Sequence, residues 1–191
     1  MIEQIEKSME ETAANFLRLR TQASVVEAVA RAWTDALKHG NKILFCGNGG
    51  SAADSQHLAA ELMGRYRFDR HPLPALSLTT DTSALTAIGN DYGYDSVFSR
   101  QVRGLGNRGD VLVGISTSGN SRNVLEAFAA ARELGILTVA FTGEHGGLMK
   151  DAAAICLAVP ASATNSVQEM HIACGHLICG IVEAAMFPDR R

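Results

Sequence analysis

Five short, almost wholly apolar runs constrain this chain more than any other feature. They are Lys42–Cys46, Ala75–Leu78, Val111–Ile115, Leu137–Phe141 and Ala154–Leu157. Between and after them lie segments of helical character: Ser51–Tyr66, Thr82–Asn90, Ser96–Gly104, Ser121–Leu134 and Ser166–Met186. A strand without an alternating polar face is buried on both sides, and strands that alternate with helices pair in parallel. The expected architecture is therefore α/β and three-layered, a five-stranded parallel sheet flanked by helices. Such sheets take their ligands beyond the C-terminal ends of the strands.

Two further helices precede the first strand. Ile5, Met9, Ala13, Phe16 and Leu17 recur at helical spacing, as do Val25, Val29, Ala32, Trp33 and Leu37, and Lys38-His39-Gly40 closes the pair with a basic turn and a glycine. No linker or low-complexity segment divides the chain, so residues 1–191 read as a single domain, with 1–40 as a helical region packing on it. The final helix, with Ile178, Ile181, Val182 and Met186, is more apolar than a surface helix needs to be. Together with the first forty residues it is a candidate oligomer interface.

Composition excludes several classes. A net charge of −3 with no basic stripe argues against a nucleic-acid surface. Arg65, Arg67 and Arg70, with Tyr66 and Phe68 between them, read as a solvated helix end. No apolar run reaches the roughly 20 residues of a membrane helix. The charged N-terminus has no signal-peptide core, and the four cysteines lack CxxC spacing. Free thiols and a cytoplasmic location are expected, with no membrane partner.

Chemistry gathers in the loops that follow the strands. After Ile43-Leu44-Phe45 comes Cys46-Gly47-Asn48-Gly49-Gly50-Ser51, opening onto a helix with Ser51 at its expected cap. After Val111–Ile115 comes Ser116-Thr117-Ser118-Gly119-Asn120-Ser121, again before a helix. Turned backbone amides, hydroxyls and a helix N-terminus together satisfy the oxygens of a phosphate monoester. One such loop reads equally well as an N-cap with spare serines; two at equivalent places in one sheet favour phosphate. Neither is a nucleotide P-loop or a dinucleotide fingerprint, since both the lysine of GxxxxGK[ST] and the GxGxxG spacing are missing.

His57 and Glu61 stand at i and i+4, on one helix face just past the first loop, and an acid/base or metal role there competes with a plain structural hydrogen bond. The last helix offers Gln168, Glu169, His171 and His176. Gln168 and His176 are separated by about 12 Å of helix axis, so they meet at one ion only by reaching toward each other. Spacing does not choose between His171 and His176. Asp91 of the Asn90–Tyr94 segment is either a sugar-hydroxyl contact or a cap, and Asp81 reads as an N-cap.

The segments CGNGGSAADSQHLAAEL, AIGNDYGY, VGISTSGNSRNVLEA, FTGEHGG and VQEMHIACGHLICGIVE resemble the sugar isomerase (SIS) domain and, within it, the phosphoheptose isomerases. The resemblance spans essentially the whole chain. It implies a flavodoxin-like fold and a homotetramer with active sites between subunits. It further implies conversion of sedoheptulose 7-phosphate to D-glycero-D-manno-heptose 7-phosphate, the first step toward activated heptoses for lipopolysaccharide or other glycans. Matched position by position, Ser51, Ser116, Thr117, Ser118 and Ser121 correspond to phosphate contacts. Asn48, Gly49, Gly50, Asn90 and Asp91 correspond to other substrate contacts. His57, Glu61, Gln168 and His176 correspond to a site for one Zn2+ per subunit, with Glu61 and His176 also the base and acid, and with Glu61 and Gln168 also touching substrate. Two other readings share the serine loops: a SIS protein that binds the replication initiator, and one that senses a phosphosugar without converting it. The first is expected to lack the helix glutamate and the final histidine; both residues are present here.

Overall fold

The structure, a computed structural model, describes residues 1–190. Helices α1 (Ile2–Leu19) and α2 (Ala23–Lys38) are joined by one 3-10 turn. There follow β1 (Ile43–Gly47), α3 (Gly50–Met63), β2 (Ala75–Ser77), α4 (Thr82–Tyr92), α5 (Val97–Leu105), β3 (Val111–Ile115) and α6 (Arg122–Leu134). The chain ends with β4 (Leu137–Thr142), the single-turn α7 (Met149–Ala152), β5 (Ile155–Ala158) and α8 (Thr164–Met186). The five strands are all parallel, in the order β2-β1-β3-β4-β5. This is the flavodoxin-like order, and its direction reverses between β1 and β3. The connections leaving those two strands diverge to opposite sides and open a crevice at their C-terminal ends.

Side chains alternate across the sheet. Ile43 and Phe45 of β1, with Val111, Val113, Ile115, Val139 and Phe141, pack under α2, α3 and α8. Leu44, Cys46, Leu112 and Ala140 pack under α5 and α6. Trp33 of α2 meets Phe45 edge-on, with ring centroids 5.2 Å apart. Both rings are fully buried, each removing enough apolar surface from water to contribute about 2–3 kcal/mol. The three-layer, five-stranded arrangement expected from the sequence is the one observed.

Three local expectations are corrected. Helix α3 ends at Met63, not at Tyr66. Arg70 does not belong to a solvated helix end: it is only 7% exposed. Its guanidinium donates to the carbonyls of Glu61 (2.8 Å), Leu62 (2.7 Å) and Gly64 (3.2 Å), groups that lack helical partners where α3 stops. Ser51 is not the cap of α3 but lies in its first turn, and Gly49 takes the cap position. Asp81 does cap α4, accepting from the Ala84 N–H at 2.8 Å.

All four cysteines are free, and burial pushes the Cys174 and Cys179 thiols up to about 12, which keeps them protonated. No helix among the described residues is long and apolar enough to cross a membrane. Helix α1 buries only Leu19 and leaves Ile2, Ile5, Met9 and Leu17 exposed.

Candidate active site

The crevice between β1 and β3 is a cavity of about 310 Å³. Gly49 turns the chain from β1 into α3 at φ +55°, a conformation that suits glycine, and points the N-terminus of α3 into the cavity. From the other side comes the β3–α6 loop. There the Ser116 hydroxyl lies 2.8 Å from that of Ser121 and 3.4 Å from that of Ser118, and the Asn120 N–H donates to Ser118 Oγ at 3.2 Å. Asn48, Gly49, Gly50, Ser51, Ser116, Thr117, Ser118, Ser121 and Gln168 all line this one space, with Ile115 and Thr164. Two helix N-termini and a row of hydroxyls converging on one cavity are groups that can satisfy an anion. A larger groove of about 550 Å³, beside α2 at Ala28 and Ala32, lies at the N-terminal ends of the strands, away from this chemistry.

Helices α3 and α8 run side by side in the same direction. Gln168 rests on Gly50, where a Cβ would come within 2.5 Å of the amide Nε2; farther along, Leu58 rests on Gly175 and His57 meets His176. This register brings the metal-type side chains together. His57 Nε2 lies 2.8 Å from His176 Nε2 and 3.2 Å from Glu61 Oε1. Ligand atoms of His57, Glu61 and His176 all fall within 4.8 Å of one another. Two imidazole nitrogens and a carboxylate oxygen aimed at one point are donors that can hold a divalent ion. The donor set therefore fits a metal.

Burial separates the two histidines that spacing left alike. His171 is fully buried against Phe141, donates from Nε2 to the Thr142 carbonyl at 3.0 Å, and is held neutral by burial, which pushes its pKa down to about 4. It is a core residue, whereas His176 faces His57.

Asn90 and Asp91 do not line the cavity. They sit exposed at the end of α4, with Asn90 Nδ2 donating to Asp91 Oδ1 at 2.8 Å. Their segment reaches the site through Tyr94, whose hydroxyl donates to Asn48 Oδ1 at 3.0 Å. Asn48 also exchanges paired amide hydrogen bonds with the buried Asn123, at 3.0 and 2.9 Å. Neither Asn123 nor Tyr94 was nominated from the sequence; an asparagine inside a helix carries no local signal of a partner 75 residues away. Asp54, one turn before His57, was also missed. Burial raises its pKa to about 6 although His57 pulls the other way, and its Oδ2 has no hydrogen-bond partner among the described residues.

Fold and cavity together define a sugar isomerase domain, and the family model described as "SIS domain" matches residues 7–143. Phosphoheptose isomerase from Akkermansia muciniphila is 59% identical over 187 residues, covering 98% of this chain and 99% of that protein. The solved phosphoheptose isomerase from Neisseria gonorrhoeae superposes with a TM-score of 0.88 at 46% identity, over 95% of this chain and 98% of that one. The corresponding structure from Francisella tularensis gives a TM-score of 0.91 at 34% identity, over 95% and 97%. The chain belongs to the phosphoheptose isomerase family of SIS-domain proteins.

Proposed function

We propose that this chain is an aldose–ketose isomerase that interconverts sedoheptulose 7-phosphate and D-glycero-D-manno-heptose 7-phosphate. The observation that carries the reading is the placement of a phosphate cradle and a carboxylate–imidazole cluster along one helix. From Ser51 to His57 α3 advances about 9 Å, a length suited to a seven-carbon chain with phosphate at one end and carbonyl at the other. The near-full-length identity to phosphoheptose isomerases supports the same substrate.

The phosphate would sit against Ser51, Ser116, Thr117, Ser118 and Ser121, with Asn48 held to shape by Asn123 and Tyr94. Glu61 is the proposed base. It removes a C1 proton while His176 donates a proton to the C2 carbonyl oxygen, giving an enediol. His176 then takes the hydroxyl proton from O1 while Glu61 returns its proton to C2, which yields the aldehyde at C1 and restores both side chains, so no atom is gained or lost. His57, Glu61 and His176 would hold one zinc ion per subunit; Gln168, whose amide rests on Gly50 in the serine-loop cavity about two turns away, would join them as a fourth side chain only by turning toward the cluster. When bound, the ion supplies Lewis-acid stabilisation of negative charge on the substrate oxygens. Glu61 serves in both roles through two carboxylate oxygens, of which Oε1 faces His57.

We further propose that residues 1–191 act as one domain, located in the cytoplasm, and that 1–40 help to form a homotetramer. The exposed Ile5, Met9 and Leu17 of α1, and the apolar groove between Phe16, Leu19, Leu177 and Ile181, support this. Light scattering of the purified chain should give four times the subunit mass; a monomer would refute it. Replacing both Ser118 and Ser121 by Ala should raise KM by roughly tenfold or more, for the loss of two hydrogen bonds to a charged group, and leave kcat nearly unchanged. An unchanged KM would remove the phosphate from this cavity.

A further inference from the structure

Tyr66 lies against His176 with ring centroids 5.9 Å apart and planes inclined by only 25°. It is placed there by a buried clamp remote from the phosphate cavity. Glu183, 1% exposed on α8, accepts the Tyr66 N–H at 3.0 Å, the Arg67 N–H at 2.8 Å and Arg70 Nε at 3.0 Å. Arg70 in turn takes the carbonyls at the end of α3, that of Glu61 among them at 2.8 Å. Glu183 follows His176 by seven residues, two turns along the same face of α8. The clamp thus fixes the segment after α3 directly over His176.

The groove that receives the ring is made by Gly180, one turn beyond His176. A Cβ there would come within 3.1 Å of Tyr66 Cε1. Glycine is disfavoured inside a helix relative to alanine, and here its missing side chain is the space Tyr66 occupies. The Arg67 guanidinium, 5.4 Å from the ring centroid, covers Tyr66 in turn.

We infer that Tyr66 is a positioning residue for His176: its ring fixes the imidazole with Nε2 directed at His57 and Glu61, so the metal-type cluster is formed before anything binds. The inference rests on the metal-site reading proposed above. Holding a ligand imidazole in place from behind is how groups beyond the ligands themselves strengthen a metal site.

The test uses the full chain, stripped of metal, as wild type, Tyr66→Phe and Tyr66→Leu. Leucine keeps apolar contact but removes the flat ring. Zn2+ affinity is measured by competition with a chromogenic chelator, alongside melting of the metal-free protein, kcat and KM. Tyr66→Phe should match wild type throughout. Tyr66→Leu should bind Zn2+ roughly ten- to hundredfold more weakly and lose kcat, with KM and metal-free melting unmoved. Should the leucine variant fail to fold, Tyr66→Met, unbranched and able to fill the groove, carries the same expectation. Wild-type zinc affinity in the truncated variant, with or without lower melting, overturns the inference and leaves Tyr66 as packing. A wild-type protein that holds no zinc overturns the metal-site reading itself, and the inference with it.

Discussion

Replacing Glu61 by Gln is expected to lower kcat by roughly 10²- to 10⁴-fold, the range that a general base supplies. Glutamine keeps the shape of the side chain, and its amide can still pair with His57 where Glu61 Oε1 now lies 3.2 Å away. The cavity proposed for the phosphate begins about three turns earlier on α3, at Gly50 and Ser51, and Glu61 does not line it. Melting temperature and affinity for the sugar phosphate should therefore stay close to wild type. Kinetics and calorimetry on the same preparation separate the outcomes. A variant that turns over at the wild-type rate removes Glu61 as the base; one that no longer binds sugar phosphate relocates it to substrate recognition.

The largest effect on stability is expected at Glu183. Its side chain is 1% exposed and that of its partner Arg70 is fully buried, the two meeting at 3.0 Å. Removing one partner of a buried pair leaves an uncompensated charge, at about 3–5 kcal/mol. Here the loss also strips two backbone N–H groups, those of Tyr66 and Arg67, of their acceptor. Glu183→Ala should lower the melting temperature by roughly 6–20 °C for a domain of this size. Arg70→Ala should do much the same, and the double variant should be less than additive because the two share one interaction. A single variant that melts with wild type would mean that water reaches and satisfies the surviving partner.

The fold was readable because its signals are local. Short apolar runs such as Val111–Ile115, with no polar alternation, admit few arrangements other than a covered parallel sheet. The strand order was not local information; the position of β1 between β2 and β3 depends on how the crossovers pack. The meeting of the two serine–glycine loops at one cavity was also legible, since each loop carries its glycines and hydroxyls in one continuous stretch. Pairings across the chain were not. Arg70 and Glu183 are 113 residues apart, and an arginine among arginines gave no hint of burial. His171 and His176 looked alike on one helix until the register of α3 and α8 put one inside the core and the other beside His57. Tyr66 stayed hidden for the same reason: its partner ring lies across the groove above Gly180.

The central claim is best tested by following purified protein and sedoheptulose 7-phosphate by NMR, with and without a metal chelator. Aldoheptose 7-phosphate signals that grow with time, and that are lost on chelation and restored by Zn2+, are the expected result. A sugar phosphate that stays unchanged with Zn2+ present would contradict the isomerase reading and leave a binding protein in its place.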